Sequence, residues 1–230
     1  MIGIICAMEI ELQKIRNSMQ KIKTEKISSV DFNLGKLYDL DCVLAISGIG
    51  KVNAAACAQT IILKYNPEFI INVGVAGGLL ENMQVYDIAI SKNAIQSDVD
   101  TSALGDPKGF ISTIEIVNLP CSQYLANLIL SKRYKDKTKI YYGTITSSDK
   151  FIADKSELKT IKENFKAIAC DMETASRAQV CYLNSTEFLT VRVISDNINN
   201  ENSHLDYEKF KETAANKGFE IIKDLLSKIK

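Results

Sequence analysis

The sequence has a single histidine, His204, and no two of its six cysteines stand within four positions of one another. The paired spacings that hold structural zinc are therefore missing, and no metal is expected. The cysteines are Cys6, Cys42, Cys57, Cys121, Cys170 and Cys181, several of them inside apolar runs, where Cys packs as a small hydrophobe. They read as reduced and buried, which points to a cytoplasmic protein. Net charge is absent too: 28 Lys and Arg balance 28 Asp and Glu. Electrostatic attraction to nucleic acid or to an anionic membrane is not expected. No apolar run approaches the ~20 residues a membrane span needs. The chain starts directly on the apolar stretch Ile2–Cys6, with no basic segment before it, so no signal peptide is expected.

What remains is an ordinary globular composition. The 230 residues are 46% hydrophobic and 24% charged, and a chain of this length buries roughly 70% of its unfolded surface without help from disulfides or metals. Apolar runs of strand length alternate with amphipathic stretches. Strands are expected at Ile2–Cys6, Val30–Tyr38, Cys42–Ser47, Phe69–Val73, Asp87–Ile95, Ile140–Thr146, Ala167–Cys170 and Phe188–Ile194. Helices are expected from Glu9 to about Met19, and over Lys51–Lys64, Ser122–Lys132, Lys155–Asn164, Glu173–Leu183 and Tyr207–Ile229. The segment from about Thr101 to Gly109 reads as a loop. Strand–helix alternation predicts an α/β fold with much of its sheet parallel. No repeat, low-complexity tract or linker divides the chain, so residues 1–230 read as one domain.

Carboxylates stand just past the ends of several of these strands. Glu11 follows the first, Asp171 and Glu173 follow Ala167–Cys170, and Asp196 follows Val191–Ser195. Ligands of open α/β sheets bind outside the carboxyl ends of the strands, so parallel strands would gather these acids at one edge. Each acid also has a plain structural use. Glu9 and Glu11 can complement a helix dipole, Asp171 can cap a helix, and Asp196 can open an Asx-turn. The stretch Ser47-Gly48-Ile49-Gly50-Lys51-Val52-Asn53 has two glycines of a dinucleotide fingerprint, but Asn53 stands where the third belongs. Gly74, Gly77 and Gly78 predict a turn after a buried strand, suited to close approach of a ligand.

Six tracts together carry a resemblance: Gly3-Ile4-Ile5-Cys6-Ala7-Met8-Glu9-Ile10-Glu11, Ser47-Gly48-Ile49-Gly50-Lys51-Val52, Gly74-Val75-Ala76-Gly77-Gly78, Phe151-Ile152, Asp171-Met172-Glu173 and Arg192-Val193-Ile194-Ser195-Asp196. Ser203-His204-Leu205 and Tyr207 extend it into the last helix. In this order, across nearly the whole chain, the sequence resembles the bacterial 5'-methylthioadenosine/S-adenosylhomocysteine nucleosidases of the nucleoside phosphorylase superfamily.

The resemblance implies a single α/β domain around a central mixed, partly barrel-like sheet flanked by helices, and a homodimer with active sites near the interface. It implies a small-molecule nucleoside as substrate, water as co-substrate and no cofactor. Adenine is a poor leaving group as an anion, so an acid must protonate it, and Asp196 matches that residue. A carboxylic acid in this role needs burial or a like charge to keep its proton near neutrality. Glu11 matches the residue that activates the water, with Arg192 as its orienting partner. Glu173 matches the acceptor of the ribose hydroxyls. Met172 and Met8 would pack on the sugar, Phe151 would stack on the base, and Ile152, Ser195, Ala76 and Gly77 would surround it. Tyr207, and Leu104 of a second copy, would line the 5' side. Asp171 is assigned a supporting role, and His204 one in loop structure. Two departures stand out: Val75 replaces a frequent serine whose hydroxyl would hold the water, and the loop after Gly105 is shorter than in the family, with Leu104 in place of a frequent phenylalanine. Two other readings remain: a phosphorolytic purine nucleoside phosphorylase, which would need cationic groups around its phosphate, and a non-catalytic adenosine-binding module.

Overall fold

The chain enters on β1 (Ile2–Cys6), every residue of which is buried. Such an unbroken apolar run marks a strand covered on both faces. The computed structural model describes residues 1–131, 138–197 and 203–229, and only the backbone of 203–209. After β1 come α1 (Glu9–Asn17), β2 (Gln20–Ile27), β3 (Val30–Leu37), β4 (Leu40–Ile46), α2 (Lys51–Tyr65), β5 (Phe69–Gly78) and β6 (Ile88–Gln96). The second half holds β7 (Leu119–Pro120), α3 (Gln123–Leu130), β8 (Ile140–Ser147), α4 (Lys155–Phe165), β9 (Ala167–Asp171), α5 (Thr174–Leu183), β10 (Glu187–Asn197) and α6 (Ser203–Leu226).

The sheet is mixed and closes partly into a barrel. β10 pairs antiparallel with β6, β6 parallel with β8, β8 parallel with β9, and β9 antiparallel with the end of β5. β5 returns to β10 in parallel along its whole length, which closes a five-stranded ring. From the ring's β5 the sheet continues outward through β1 and β4, both parallel to it, to the antiparallel hairpin strands β3 and β2. Alternate residues of the central strands feed two cores. Ile4, Ile71, Val73, Val191 and Val193 meet α6 through Ala214, Ile221 and Ile222. Ile5, Val43 and Ile70 meet α2 and α5 through Ala58, Ile61, Ala175 and Ala178.

Three differences from the sequence reading have physical causes. β2 was not expected. Its eight residues are mostly exposed, with no buried one among them, so no apolar stripe announces it. It is an edge strand whose lysines discourage further pairing. Second, Gly74, Gly77 and Gly78 are not a turn but the last part of β5, held extended because β10 pairs with it as far as Gly78. Third, β9 runs antiparallel to β5, so the acids do not all arrive from parallel strands.

Candidate active site

Register explains the cavity. On one edge of β5, β1 pairs as far as Ile5 opposite Asn72, and the pairing with β9 starts at Gly77 opposite Cys170. Between them Val73–Ala76 have no partner strand on that edge among the described residues. β1 and β9 approach the opening from opposite ends, and the segments that follow each of them turn into it. The opening is a cavity of about 290 Å³ lined by Ala7, Met8 and Glu11 from one side and by Cys170, Asp171, Met172 and Glu173 from the other. Val75, Ala76 and Gly77 form its floor, with Ser195 and Asp196 from β10 beside them. Ile49, from the loop after β4, and Lys150, Phe151 and Ile152, from the loop after β8, complete it.

Glu11 sits in the first turn of α1, 2% exposed. Its Oε2 accepts the N–H of Ala7 (2.9 Å) and of Met8 (3.0 Å), the reach-back of a helix N-terminus. Its Oε1 accepts the N–H of Val75 at 3.1 Å, which ties the helix to the unpaired edge of β5. Three donated N–H groups suit a carboxylate and fix its plane. Val75 thus contributes its backbone where its side chain offers no hydrogen bond.

Behind the cavity lies a buried set of charges. Arg192 Nη2 is 2.6 Å from Asp171 Oδ2 and 3.5 Å from Glu173 Oε2. The ion pairs of Arg192, expected as the orienting partner of Glu11, are with Asp171 at the end of β9 and with Glu173 at the N-cap of α5. Arg192 and Glu11 still approach across Gly74, where a Cβ would lie 2.5 Å from Glu11 Oε1 and closer still to Arg192 Nη1. Asp171 also takes hydrogen bonds from Ser147 Oγ (2.5 Å), from Thr174 Oγ1 and from the N–H groups of Glu173 and Thr174. It therefore anchors the start of α5, whose N-cap is Glu173, and is the counter-ion of Arg192. Burial pushes its pKa up, but Arg192 and these donors outweigh burial and hold it below the usual carboxylate value. Glu173 goes the other way: burial raises its pKa, reinforced by Asp171 and opposed by Arg192, Arg177 and the Gly50 N–H. For Arg192, burial works against the charge, but Asp171, Glu173 and Glu11 prevail and raise its pKa.

Asp196 lies within β10 rather than in a turn. A bulge between Ile194 and Asp196 sets Asp196 opposite Gly77, and bulges re-aim side chains next to functional sites. Asp196 is 6% exposed, and Ser195 Oγ donates to its Oδ1 at 2.8 Å. Phe151 is 46% exposed at the rim. The two loops that flank the mouth are tied together. Lys51 N–H donates to Asp149 Oδ1 (2.7 Å), Lys51 Nζ reaches Asp98 at 2.6 Å, and Asp149 N–H donates to Asp98 Oδ2 at 3.0 Å.

Of the residues singled out in the sequence, Glu11, Asp196, Glu173, Met172, Met8, Phe151, Ile152, Ser195, Ala76 and Gly77 line this one cavity. Arg192 stands behind it. Leu104 does not line it; it is 83% exposed, on a 3-10 turn over Ser102–Leu104. The side chains of Tyr207 and His204 lie outside the described residues. Sequence reasoning missed Ile49, Lys150 and Cys170, and above all Arg177, which is fully buried. A charged residue on the otherwise apolar face of Ala175, Ala178 and Cys181 was the available signal. The six cysteines are free, with Cys121 and Cys170 only partly buried. No group of three metal-ligating side chains forms, and no helix is long and apolar enough to cross a membrane, among the described residues.

Comparison with known proteins gives a consistent result. The family model described as "Phosphorylase superfamily" matches residues 1–227. A 5'-methylthioadenosine/S-adenosylhomocysteine nucleosidase of Haemophilus ducreyi is 37% identical over 227 residues, 98% of this chain and 97% of that protein. The enzyme of that name from Neisseria meningitidis, solved with methylthio-immucillin-A, superposes with a TM-score of 0.94 at 28% identity, covering 99% of both chains. A futalosine hydrolase of Helicobacter pylori superposes at 0.93 with 27% identity, covering 99% of this chain and 97% of that one.

Proposed function

The chain belongs to the phosphorylase superfamily and, within it, to the 5'-methylthioadenosine/S-adenosylhomocysteine nucleosidases, which are N-glycosyl hydrolases; we propose that it cleaves adenine from 5'-methylthioadenosine, S-adenosylhomocysteine and related 5'-modified adenosines by Asp196-assisted attack of a Glu11-activated water.

The observation that carries this reading is the placement of Glu11 and Asp196 in one cavity. Glu11 stands over Gly74 and Asp196 over Gly77, three residues or roughly 10 Å of strand apart. That span accepts a nucleoside, with the base toward Asp196 and the reacting sugar carbon toward Glu11. As the glycosidic bond stretches, negative charge collects on the base and positive charge on the sugar. Asp196, held by Ser195, gives its proton to the purine. Glu11 takes a proton from water at the opposite face of the sugar. Glu173 accepts the ribose hydroxyls, Phe151 stacks on adenine, and Met8 and Met172 cover the ribose. Ile152, Ala76 and Gly77 close around the base.

The nucleophile is water rather than phosphate. Among the described lining residues, four carboxylates face the cavity, and the one cation is Lys150 at the rim. Arg192 is committed to Asp171. An anion beside Glu11 would meet repulsion from these carboxylates. The whole chain, residues 1–230, acts as one nucleosidase domain in the cytoplasm, in methionine salvage. It works as a homodimer in which Leu104 of one copy, with Tyr207, lines the 5' side of the other's site.

The test is adenine release from methylthioadenosine, S-adenosylhomocysteine, adenosine and futalosine, each with and without phosphate. Phosphate-independent adenine from the first two supports the reading. Adenine that appears only with phosphate turns it to phosphorolysis. Binding without turnover turns it to a binding module.

A further inference from the structure

Arg177 is not part of the cavity lining, yet it is fully buried directly behind it. It lies one helical turn after Glu173, and its own N–H donates to the Glu173 carbonyl at 3.2 Å. Glu173 is the N-cap of α5, so Arg177 stands one turn into the helix from it. Its guanidinium donates to Asn72 Oδ1 on β5 and to Ser47 Oγ at 2.5 Å. Its Nε–H has no hydrogen-bond partner among the described residues. A buried arginine that leaves a donor unmatched is a poor way to gain stability, since an apolar side chain of similar size fills such space at no loss. The arrangement is better understood through what it touches.

Ser47 is the hinge of a short path to the site. Its N–H donates to the Cys6 carbonyl at 2.9 Å, which locks the end of β4 to the end of β1. Its hydroxyl lies 2.7 Å from the Gly48 carbonyl. From there the chain turns through Gly48 and Gly50, both at positive φ. Gly50 N–H then donates to Glu173 Oε1 at 3.0 Å. The charged groups acting on Glu173 are Arg192 from β10, Asp171 from β9 and Arg177 from α5, and Arg192 in turn meets Glu11 of α1 across Gly74. Three of these five buried groups are acids, and Arg192 is already engaged by Asp171 at 2.6 Å. Arg177 is the second cation in the set.

We propose that Arg177 is a positioning residue for Glu173: through Ser47 it fixes the loop that presents the Gly50 N–H to this carboxylate, and its buried charge keeps the carboxylate an acceptor for the substrate's ribose hydroxyls. The inference rests on the reading of Glu173 as the ribose acceptor. Arg177 also opposes the upward push that burial and Asp171 exert on Glu173.

The experiment measures kcat and KM for methylthioadenosine across pH, together with adenine binding, which needs no ribose contact. The variants are Arg177→Met, Arg177→Lys, Ser47→Ala and Glu173→Gln. Arg177→Met is expected to raise KM about tenfold and to move the acid limb of kcat/KM up by about one pH unit, with adenine affinity unchanged. Arg177→Lys keeps the charge and returns the limb to its wild-type position. Ser47→Ala raises KM and leaves the limb in place. Arg177→Met with wild-type KM and limb overturns the inference. Should that variant fail to bind adenine, Ser47→Ala decides, and a wild-type KM there overturns it. Glu173→Gln with undiminished nucleoside binding would instead remove the underlying role of Glu173.

Discussion

Gly74 and Glu11 share one space: a Cβ on Gly74 would come within 2.5 Å of Glu11 Oε1. The glycine leaves the opening through which Glu11 from α1 and Arg192 from β10 reach each other's vicinity. Gly74→Ala must displace one or both. We expect destabilisation of about 1–3 kcal/mol, typical of overpacking, and loss of most activity. Gly77→Ala meets its nearest atom, Asp196 Oδ2, at 3.2 Å, and should be milder in stability. Thermal melts and kcat/KM on the two variants check the contrast.

Asp196→Asn keeps the size and the Ser195 contact but has no proton to give. Turnover should fall by about 10²–10⁴-fold, the usual share of a general acid, while nucleoside affinity stays near wild type. Single-turnover adenine release and calorimetry measure the two. Near-normal rate in this variant would remove Asp196 from the chemistry.

Asp171→Ala leaves Arg192 buried without its shortest ion pair. The expected cost is about 3–5 kcal/mol. The pH dependence follows from the depressed pKa of Asp171. Its contribution is fully present above the unfolded carboxylate pKa and is lost as pH falls through the lower folded value. The stability gap between wild type and Asp171→Ala should therefore narrow on acidification. Urea unfolding at a series of acid pH values tests this, and a gap that widened toward acid would contradict the assignment.

Phe151 is half exposed at the rim, and the proposed mechanism stacks it on the base. Phe151→Ala should weaken adenine binding by about 1–3 kcal/mol, the worth of one base–aromatic stack, with no loss of fold stability. Calorimetric titration with adenine measures it.

The central strands were legible because they are buried runs such as Ile2–Cys6 and Phe69–Val73, whose burial is written in composition. β2 was not, because an exposed edge strand has no apolar face to show. The acids were legible as residues near strand ends, although Asp171 closes β9 and Asp196 lies inside β10, but their wiring was not. Nothing in the sequence says that β9 runs against β5, and so the pairing of Arg192 with Asp171 was missed. That pairing depends on strand order, a long-range property. The extension of β5 through Gly78 was hidden for the same reason: glycines favour turns locally, and only the full-length pairing with β10 holds these extended. Arg177 was visible as a charge on an apolar helix face, but its partners Ser47 and Asn72 lie more than a hundred residues away.

The central claim is that water, activated by Glu11, is the nucleophile. The direct measurement is turnover of methylthioadenosine in ¹⁸O-labelled water containing phosphate, with mass analysis of the sugar. The expected products are adenine and a free methylthioribose carrying one labelled oxygen, at a rate independent of phosphate and lost in Glu11→Gln. An unlabelled sugar 1-phosphate, or a Glu11→Gln variant that still labels the sugar at the wild-type rate, would contradict it.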